Sequence, residues 1–225
     1  MQVILQKHLD FLDEIKRNND RVWFDTNRGF YEEVHEGVKS FFESIFHTIE
    51  KSDSLERFHM HRIYRDLRFA KDKTPYKTYF RLYMGRTKPL LRGGYYLNIE
   101  TGDNSRVSGG FWKPESKDLQ RIRQAFASDE KSIGEILNSE SIKKYFGEIQ
   151  GEKLKSYPRG FNKTDANQEL LLMKQFILTR RFTDKEVLNP HFFQDVIDSF
   201  LALRPFFDYM SEILTTDENG QNLFG

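Results

Sequence analysis

The stretch YFRLYMGRTKPLLRGGYYLNIETGDNSRVSGGFW, residues 79–112, decides the fold. Apolar and polar side chains alternate along its first six residues and again from Tyr95 to Glu100, which is the period of two expected of a half-buried β-strand. The residues TGDN at 101–104 are typical of a tight hairpin turn. Because loops this short join only antiparallel strands, the stretch predicts an antiparallel, meander-like sheet. The strands of this sheet are predicted at 58–69, 76–85, 94–101 and 106–112.

Segments with helical periodicity precede and follow the predicted sheet. Apolar residues recur at spacings of three and four along 5–15 and 30–49, which predicts an N-terminal helical pair. A long C-terminal helix is predicted over 196–214, and Pro205 should kink or split it. Further helical pieces are predicted to open at 113–116 and to cover 132–147 and 166–172, and a strand-like segment covers 173–182. The pattern indicates one α+β domain over 1–215 and a polar, frayed tail at 216–225.

The composition is that of a globular protein with an aromatic-rich core. Hydrophobic residues make up 38% of the 225 residues and include 21 Phe. The chain has no cysteine, which excludes disulfides, thiolate metal sites and a cysteine nucleophile. The sequence predicts no signal peptide or transmembrane helix, and we expect a cytoplasmic protein that does not contact a membrane. No cofactor or metal is predicted, because His59 and His61 have no third ligand nearby.

The segment RIYRDLRFAKDKTPYK, residues 62–77, combines six cations, two carboxylates and three aromatic rings. If it continues a strand, its alternation places Arg65 on the apolar face beside Ile63 and Leu67. A buried guanidinium needs a partner, because an unpaired buried charge is very costly. The local partners are Asp66 and Asp72, and a bound anion is the other possibility.

Two interpretations of this segment stay open. In the first, a phosphate- or carboxylate-bearing small molecule is clamped by two arginines, with an aspartate that orients them and a tyrosine that closes the pocket. The residues predicted to bind such a ligand are Arg62, Arg65, Asp66, Arg68, Asp72, Lys73, Tyr76 and Arg159. In the second interpretation the same charges form a structural network of ion pairs, with Asp66 bound to Arg62 or Arg68 and Asp72 capping the turn before Pro75.

Other function classes remain possible. Tyrosines alternate with cations along 76–92 in a pattern that suits stacking on bases and contact with phosphates, although a net charge of +1 is low for a dedicated nucleic-acid binder. A structural or protein-interaction module without a small-molecule ligand is a third hypothesis. Catalysis on the anionic ligand, by hydrolysis or transfer, is left open because no catalytic residues can be assigned from the sequence.

The charged segment also carries a resemblance. The residues that match are Arg62, Arg65, Asp66, Arg68, Phe69, Asp72, Lys73 and Tyr76. Their spacing resembles the signature of the bacterial domain-of-unknown-function family 2461. Blocks similar to other parts of that family occur at 18–24, 94–96, 110–114 and 158–161, so the resemblance extends over nearly the whole chain. It implies membership of the family but no particular reaction.

Overall fold

Five β-strands form one antiparallel sheet, in which each strand pairs with the next one along the chain. The computed structural model describes residues 3–129, 131–217 and 220–224. The strands are β1 (Leu55–Met60), β2 (Tyr79–Arg86), β3 (Gly94–Glu100), β4 (Ser105–Phe111) and β5 (Phe176–Phe182). The predicted α+β class and meander-like sheet are therefore confirmed. In the four-residue connection 101–104 between β3 and β4, φ is positive at Gly102 (77°) and Asp103 (61°), a conformation that Gly and Asp tolerate in tight turns.

Helices precede the sheet, interrupt it between β4 and β5, and follow it. Their bounds are α1 (Gln6–Arg17), α2 (Arg21–Thr26), α3 (Arg28–Ile49), α4 (Ser116–Ser128), α5 (Ser132–Asn138), α6 (Glu140–Tyr145), α7 (Gln168–Leu171), α8 (Asp184–Val187), α9 (Phe192–Ala202) and α10 (Arg204–Thr215). The predicted C-terminal helix is split, because Pro205 occupies the first turn of α10, where a missing N–H costs no hydrogen bond. The short helices α2 and α8 were not predicted.

One face of the sheet, the inner face, forms the core with the helices. Phe80, Leu82 and Met84 of β2 are buried on this face. Tyr95 of β3 packs edge-on against Phe200 of α9, with 5.1 Å between the ring centroids. The opposite side of the sheet, the outer face, carries the polar members of each alternating pair. The helices therefore leave the outer face as the surface on which the candidate site is built.

A charged network ties the inner face to the start of β1 and to α10. The Arg86 side chain is fully buried, and its Nε lies 2.8 Å from Asp53 Oδ2. Its terminal nitrogens reach Asp208 and the hydroxyl of Ser211, both on α10. The Tyr95 hydroxyl donates to Asp53 Oδ2 at 2.5 Å. The expectation that Arg65 is buried is therefore wrong: its side chain is 27% exposed, whereas Arg86 is the arginine of the sheet that is fully buried.

The strand predicted at 58–69 is wrong beyond Met60. Residues 61–78 form a loop that is closed by an isolated antiparallel bridge between Tyr64 and Tyr76. The Arg68 and Thr74 amides donate to aspartate side chains two residues earlier in the chain, so they are not part of a strand ladder. Phe69, which a strand would have buried, is 95% exposed.

The C-terminal tail is described only at 216–217 and 220–224. Thr216 forms an isolated bridge with Asn222. The predicted fraying falls partly on residues outside the described ranges, and the single-domain assignment over 1–215 stays a prediction. Among the described residues, no helix combines the length and the apolar character needed to cross a membrane.

Candidate ligand-binding site on the outer sheet face

Strand register arranges the outer face into rows of aligned side chains. In the first row Arg81 of β2 faces Asn98 of β3, which faces Arg106 of β4. The next row along the same three strands contains Tyr83, Tyr96 and Ser108. Because each row combines neighbours about 5 Å apart across the sheet, cations and aromatic rings lie side by side on this face.

A cleft of about 740 Å³ lies over these rows. Its floor is formed by outer-face residues of β2 to β5, and these include Arg81 and Asn98. Its other boundary consists of Trp112, Gln150 and Gln175. We call this space the outer-face cleft. Its volume is in the range of sites for small molecules.

The side chains of Arg81 and Asn98 are joined by a hydrogen bond across two strands. Arg81 Nε donates to Asn98 Oδ1 at 2.7 Å. Because a guanidinium only donates, this bond fixes which end of the amide carries oxygen. Asn98 is only 3% exposed, and its Nδ2 has no hydrogen-bond partner within the described part of the chain. The cleft therefore holds an oriented, unused N–H donor.

Positive charge accumulates around Arg81, on the β1–β2 side of the outer face. Arg57, Lys77 and Arg81 form no ion pair with any carboxylate of residues 3–129, 131–217 and 220–224. Burial first, and then the nearby charges of His59, Lys77, Arg81 and Arg57, lower the pKa of His61 to about 4. The pKa of Lys77 is also lowered, first by burial and then by Arg81 and Arg62. An anion placed here would relieve this repulsion.

Aromatic rings line the same face. Tyr83 and Tyr96 lie 4.8 Å apart between ring centroids, and the guanidinium of Arg81 lies 4.7 Å from the ring centroid of Tyr79. Trp112, which follows β4, lies on the cleft and is 63% exposed. These rings offer flat apolar surface next to the cations.

The wall beyond β5 is made by a segment that extends the sheet. Gln150 and Ile177 exchange backbone hydrogen bonds of 2.6 and 2.9 Å. A Cβ on Gly151 would overlap the carbonyl oxygen of Gln175, so only glycine allows the two segments to come this close. Gln175 is 7% exposed, and its Oε1 has no partner among the described residues. The wall thus presents an unused acceptor.

Residues 62–77, the signature loop, pair two of their six cations with the two aspartates of the same segment. Arg65 donates to Asp72 at 2.5 Å, and Arg68 donates to both carboxylate oxygens of Asp66. The Thr74 amide and then the Arg65 guanidinium hold the pKa of Asp72 at about 2. The Asp66–Arg68 pair and the bond from the Thr74 amide to Asp72 are contacts of the structural-network interpretation, whereas the Arg65–Asp72 pair was not part of it.

A second cleft, of about 470 Å³, lies beside this loop and is called the signature cleft. Of the eight residues predicted to bind a ligand, Arg65, Asp66, Asp72 and Tyr76 line it. The described lining of neither cleft includes Arg62, Arg68, Lys73 or Arg159.

The side chains in the signature loop have other partners. The Tyr76 ring stacks on Phe24 at 4.2 Å between centroids, and the Asn19 amide bonds both backbone groups of Tyr76 at 3.0 Å. Lys73 donates to the Leu67 carbonyl, and Arg159 lies in an exposed turn. The contacts of Tyr76 anchor the loop against α2 and the turn that precedes it.

Several residues of the outer-face cleft were not predicted as ligand contacts. The alternation of polar residues along β2 and β3 is the signal that identifies Arg81, Tyr96 and Asn98. Gln150 and Gln175 carry no such signal, since a backbone pairing between distant segments places them. In the described ranges, no group of three or more His, Asp or Glu side chains is arranged to hold a metal ion.

The fold and the site define an α+β protein with a polar and aromatic cleft on the outer face of a five-stranded antiparallel sheet. A family model described as "Conserved hypothetical protein (DUF2461)" matches residues 7–209. The chain belongs to this family, which confirms the resemblance inferred from the sequence. No curated protein and no solved structure matches the chain.

Proposed function

We propose that this protein binds a phosphate- or carboxylate-bearing small molecule in the outer-face cleft, with Arg81 and Asn98 as the contacts to the anion. The observation that carries the proposal is the Asn98 amide, which is buried, oriented by Arg81 and left with an unused Nδ2 donor. Buried donors are nearly always paired, and leaving one unpaired costs about 1–3 kcal/mol. A ligand oxygen supplies the missing partner.

The chemistry of Arg81 agrees with this role. Its Nε is occupied by Asn98 Oδ1, which leaves the two terminal nitrogens for a ligand. A guanidinium presents paired donors in one plane, the geometry that matches carboxylate and phosphate oxygens. Arg57 and Lys77 do not line this cleft, and Lys77 lines the signature cleft, but both add positive charge near Arg81 without a carboxylate partner in the described part of the chain.

The signature cleft is the alternative location. In a clamp formed by Arg65 and Arg68, an incoming anion meets guanidinium groups that already pair with Asp72 and Asp66. In the outer-face cleft the anion meets Arg81 without such competition. We therefore place the anion at Arg81, and a variant of Arg65 separates the two locations.

A second candidate function is binding of single-stranded nucleic acid. The tilted ring pair Tyr83–Tyr96 and the cation–aromatic pair Arg81–Tyr79 favour it, because such surfaces stack bases and contact phosphates. This function predicts that log affinity falls linearly and steeply with log salt concentration. Tight binding of one small anion with a shallow salt dependence favours the first function.

The test is a thermal-shift screen of the full chain with inorganic phosphate, inorganic triphosphate, citrate and a short oligothymidylate at two salt concentrations. A ligand at about a hundred times its Kd stabilises the folded protein by roughly 2.7 kcal/mol. We expect stabilisation by at least one small anion, lost in Arg81→Met and kept in the matched control Arg65→Met.

Three outcomes decide between the sites and functions. Loss of the shift in Arg65→Met alone would move the site to the signature cleft. A shift with the oligothymidylate only, abolished at the higher salt concentration, would support nucleic-acid binding instead. The absence of any shift across the panel would contradict both functions. The unliganded melting temperature of each variant shows whether it is folded.

A further inference from the structure

The outer-face cleft contains a second unsatisfied group that an anion cannot satisfy. In the orientation that the structure gives this amide, the buried atom of Gln175 is Oε1, an acceptor that an oxygen of phosphate or carboxylate repels. It needs an N–H or O–H donor from the ligand. Since both Asn98 and Gln175 are more than nine-tenths buried and line the same cleft, the ligand that completes this site has an anionic end and a donor end.

The register of the sheet gives the separation of these two ends. Asn98 faces Arg106 on β4, and Arg106 faces Arg181 on β5. Gln175 precedes Arg181 by six residues, which is roughly 20 Å of extended chain, and β3 and β5 are two strand spacings apart. Because side chains on one face stand roughly perpendicular to the sheet, the gap between Asn98 Nδ2 and Gln175 Oε1 stays on the order of 20 Å. Inorganic phosphate is far too short to span it.

The surface near Gln175 suits a planar ring. Trp112 lines the same cleft and is mostly exposed. It lies close to the start of β5, because it follows Phe111, whose register partner is Phe176. Stacking on an indole stabilises any flat heterocycle, and a neighbouring amide oxygen then accepts a hydrogen bond from an N–H on the ring edge.

The following inference rests on the proposed function and specifies the class of ligand. We infer that the anionic ligand is a nucleoside di- or triphosphate whose terminal phosphate lies at Arg81 and Asn98, and whose base stacks on Trp112 and donates to Gln175. An extended nucleoside triphosphate has the required length, a ring and an N–H donor. The inference concerns binding, and no bond is made or broken in it.

The test compares inorganic triphosphate with adenosine triphosphate by calorimetric titration in the absence of divalent metal. We expect the nucleotide to bind at least about tenfold more tightly, because it alone reaches Trp112 and Gln175. Gln175→Met and Trp112→Ala should each remove most of this preference. Both variants should leave the affinity for inorganic triphosphate within about twofold of the wild-type value.

The outcomes test the nucleotide assignment and the proposed anion binding separately. Equal affinity for triphosphate and nucleotide, or a preference that survives in both variants, overturns the nucleotide assignment and leaves anion binding intact. Failure of both probes to bind, together with silence of phosphate and citrate, overturns the proposed function itself. Because Trp112 is exposed, Trp112→Ala keeps the test valid even if Gln175→Met fails to fold.

Discussion

Arg81 and Asn98 form a cross-strand pair in which the guanidinium Nε donates to the amide Oδ1 at 2.7 Å. The bond satisfies the oxygen of Asn98 and at the same time prevents the amide from flipping, so Nδ2 keeps a fixed direction without a partner among the described residues. An active or binding site needs such oriented donors, held by neighbours before the ligand arrives. The pair is therefore the part of the outer face best prepared to meet an anion.

The buried pair Arg86–Asp53 should be essential for stability. Arg86→Met leaves Asp53 buried without its closest cation and also removes the contact to Asp208. Breaking a buried ion pair in this way lowers the free energy of unfolding by about 3–5 kcal/mol. Urea unfolding will show this loss as a lower midpoint. Arg68→Met, at an exposed ion pair, is the matched control and should change the midpoint little. Similar midpoints for the two variants would contradict the structural role of the network.

Two glycines should respond oppositely to alanine. Gly134 lies in α5, and a methyl group added there would meet open space, so Gly134→Ala should stabilise the protein by about 0.5–1 kcal/mol through helix propensity. Gly151→Ala places a methyl against the Gln175 carbonyl and should destabilise the wall of the cleft.

Thermal unfolding of both alanine variants measures this difference. The close approach of residues 150–152 to β5 would be contradicted if Gly151→Ala were as stable as the wild-type protein. A loss of ligand affinity in Gly151→Ala, with the affinity of Gly134→Ala unchanged, would further link the wall to binding.

His61 should make stability depend on pH. Its folded-state pKa of about 4 lies below the ordinary value of 6.5, so the unfolded chain takes up the proton first as the pH falls. The contribution is fully present above pH 6.5 and is lost as the pH falls towards 4. Because His61 is partly exposed, we expect the loss to be about 1 kcal/mol rather than the full value of the shift.

The measurement is the difference in unfolding free energy between about pH 7 and about pH 5 for the wild-type protein and His61→Asn. The variant should lose less stability on acidification than the wild-type protein does. The exposed His191, replaced by asparagine, serves as the control. An unchanged pH dependence in His61→Asn would contradict the burial of this side chain among cations.

Much of the sheet could be predicted because its period of two is local. The alternation along β2 also places Arg86 on the buried face, because Arg86 is in phase with Phe80, Leu82 and Met84. Its partners could not be predicted, because Asp53 and Asp208 come from remote parts of the chain. The signature loop has the alternating apolar residues of a strand, but its aspartates redirect the backbone into turns, which is why the strand prediction fails there.

The candidate site was predictable on one side only. Arg81 and Tyr96 lie at polar positions of alternating strands, so their shared face follows from the sequence. Gln150 and Gln175 meet this face through backbone pairing between a loop and the end of β5, which depends on the tertiary fold. The charge-rich signature drew attention to Arg65 and Arg68, whose ion pairs with Asp72 and Asp66 become visible only in the folded chain.

The substitution Asn98→Asp tests the central claim most directly. It keeps an oxygen for Arg81 and nearly the same shape, but it replaces the unused Nδ2 donor by a negatively charged acceptor. Calorimetric titration of inorganic triphosphate should show at least about a tenfold loss of affinity relative to the wild-type protein. Equal affinity of the two proteins for triphosphate would contradict the placement of the anion at Arg81 and Asn98.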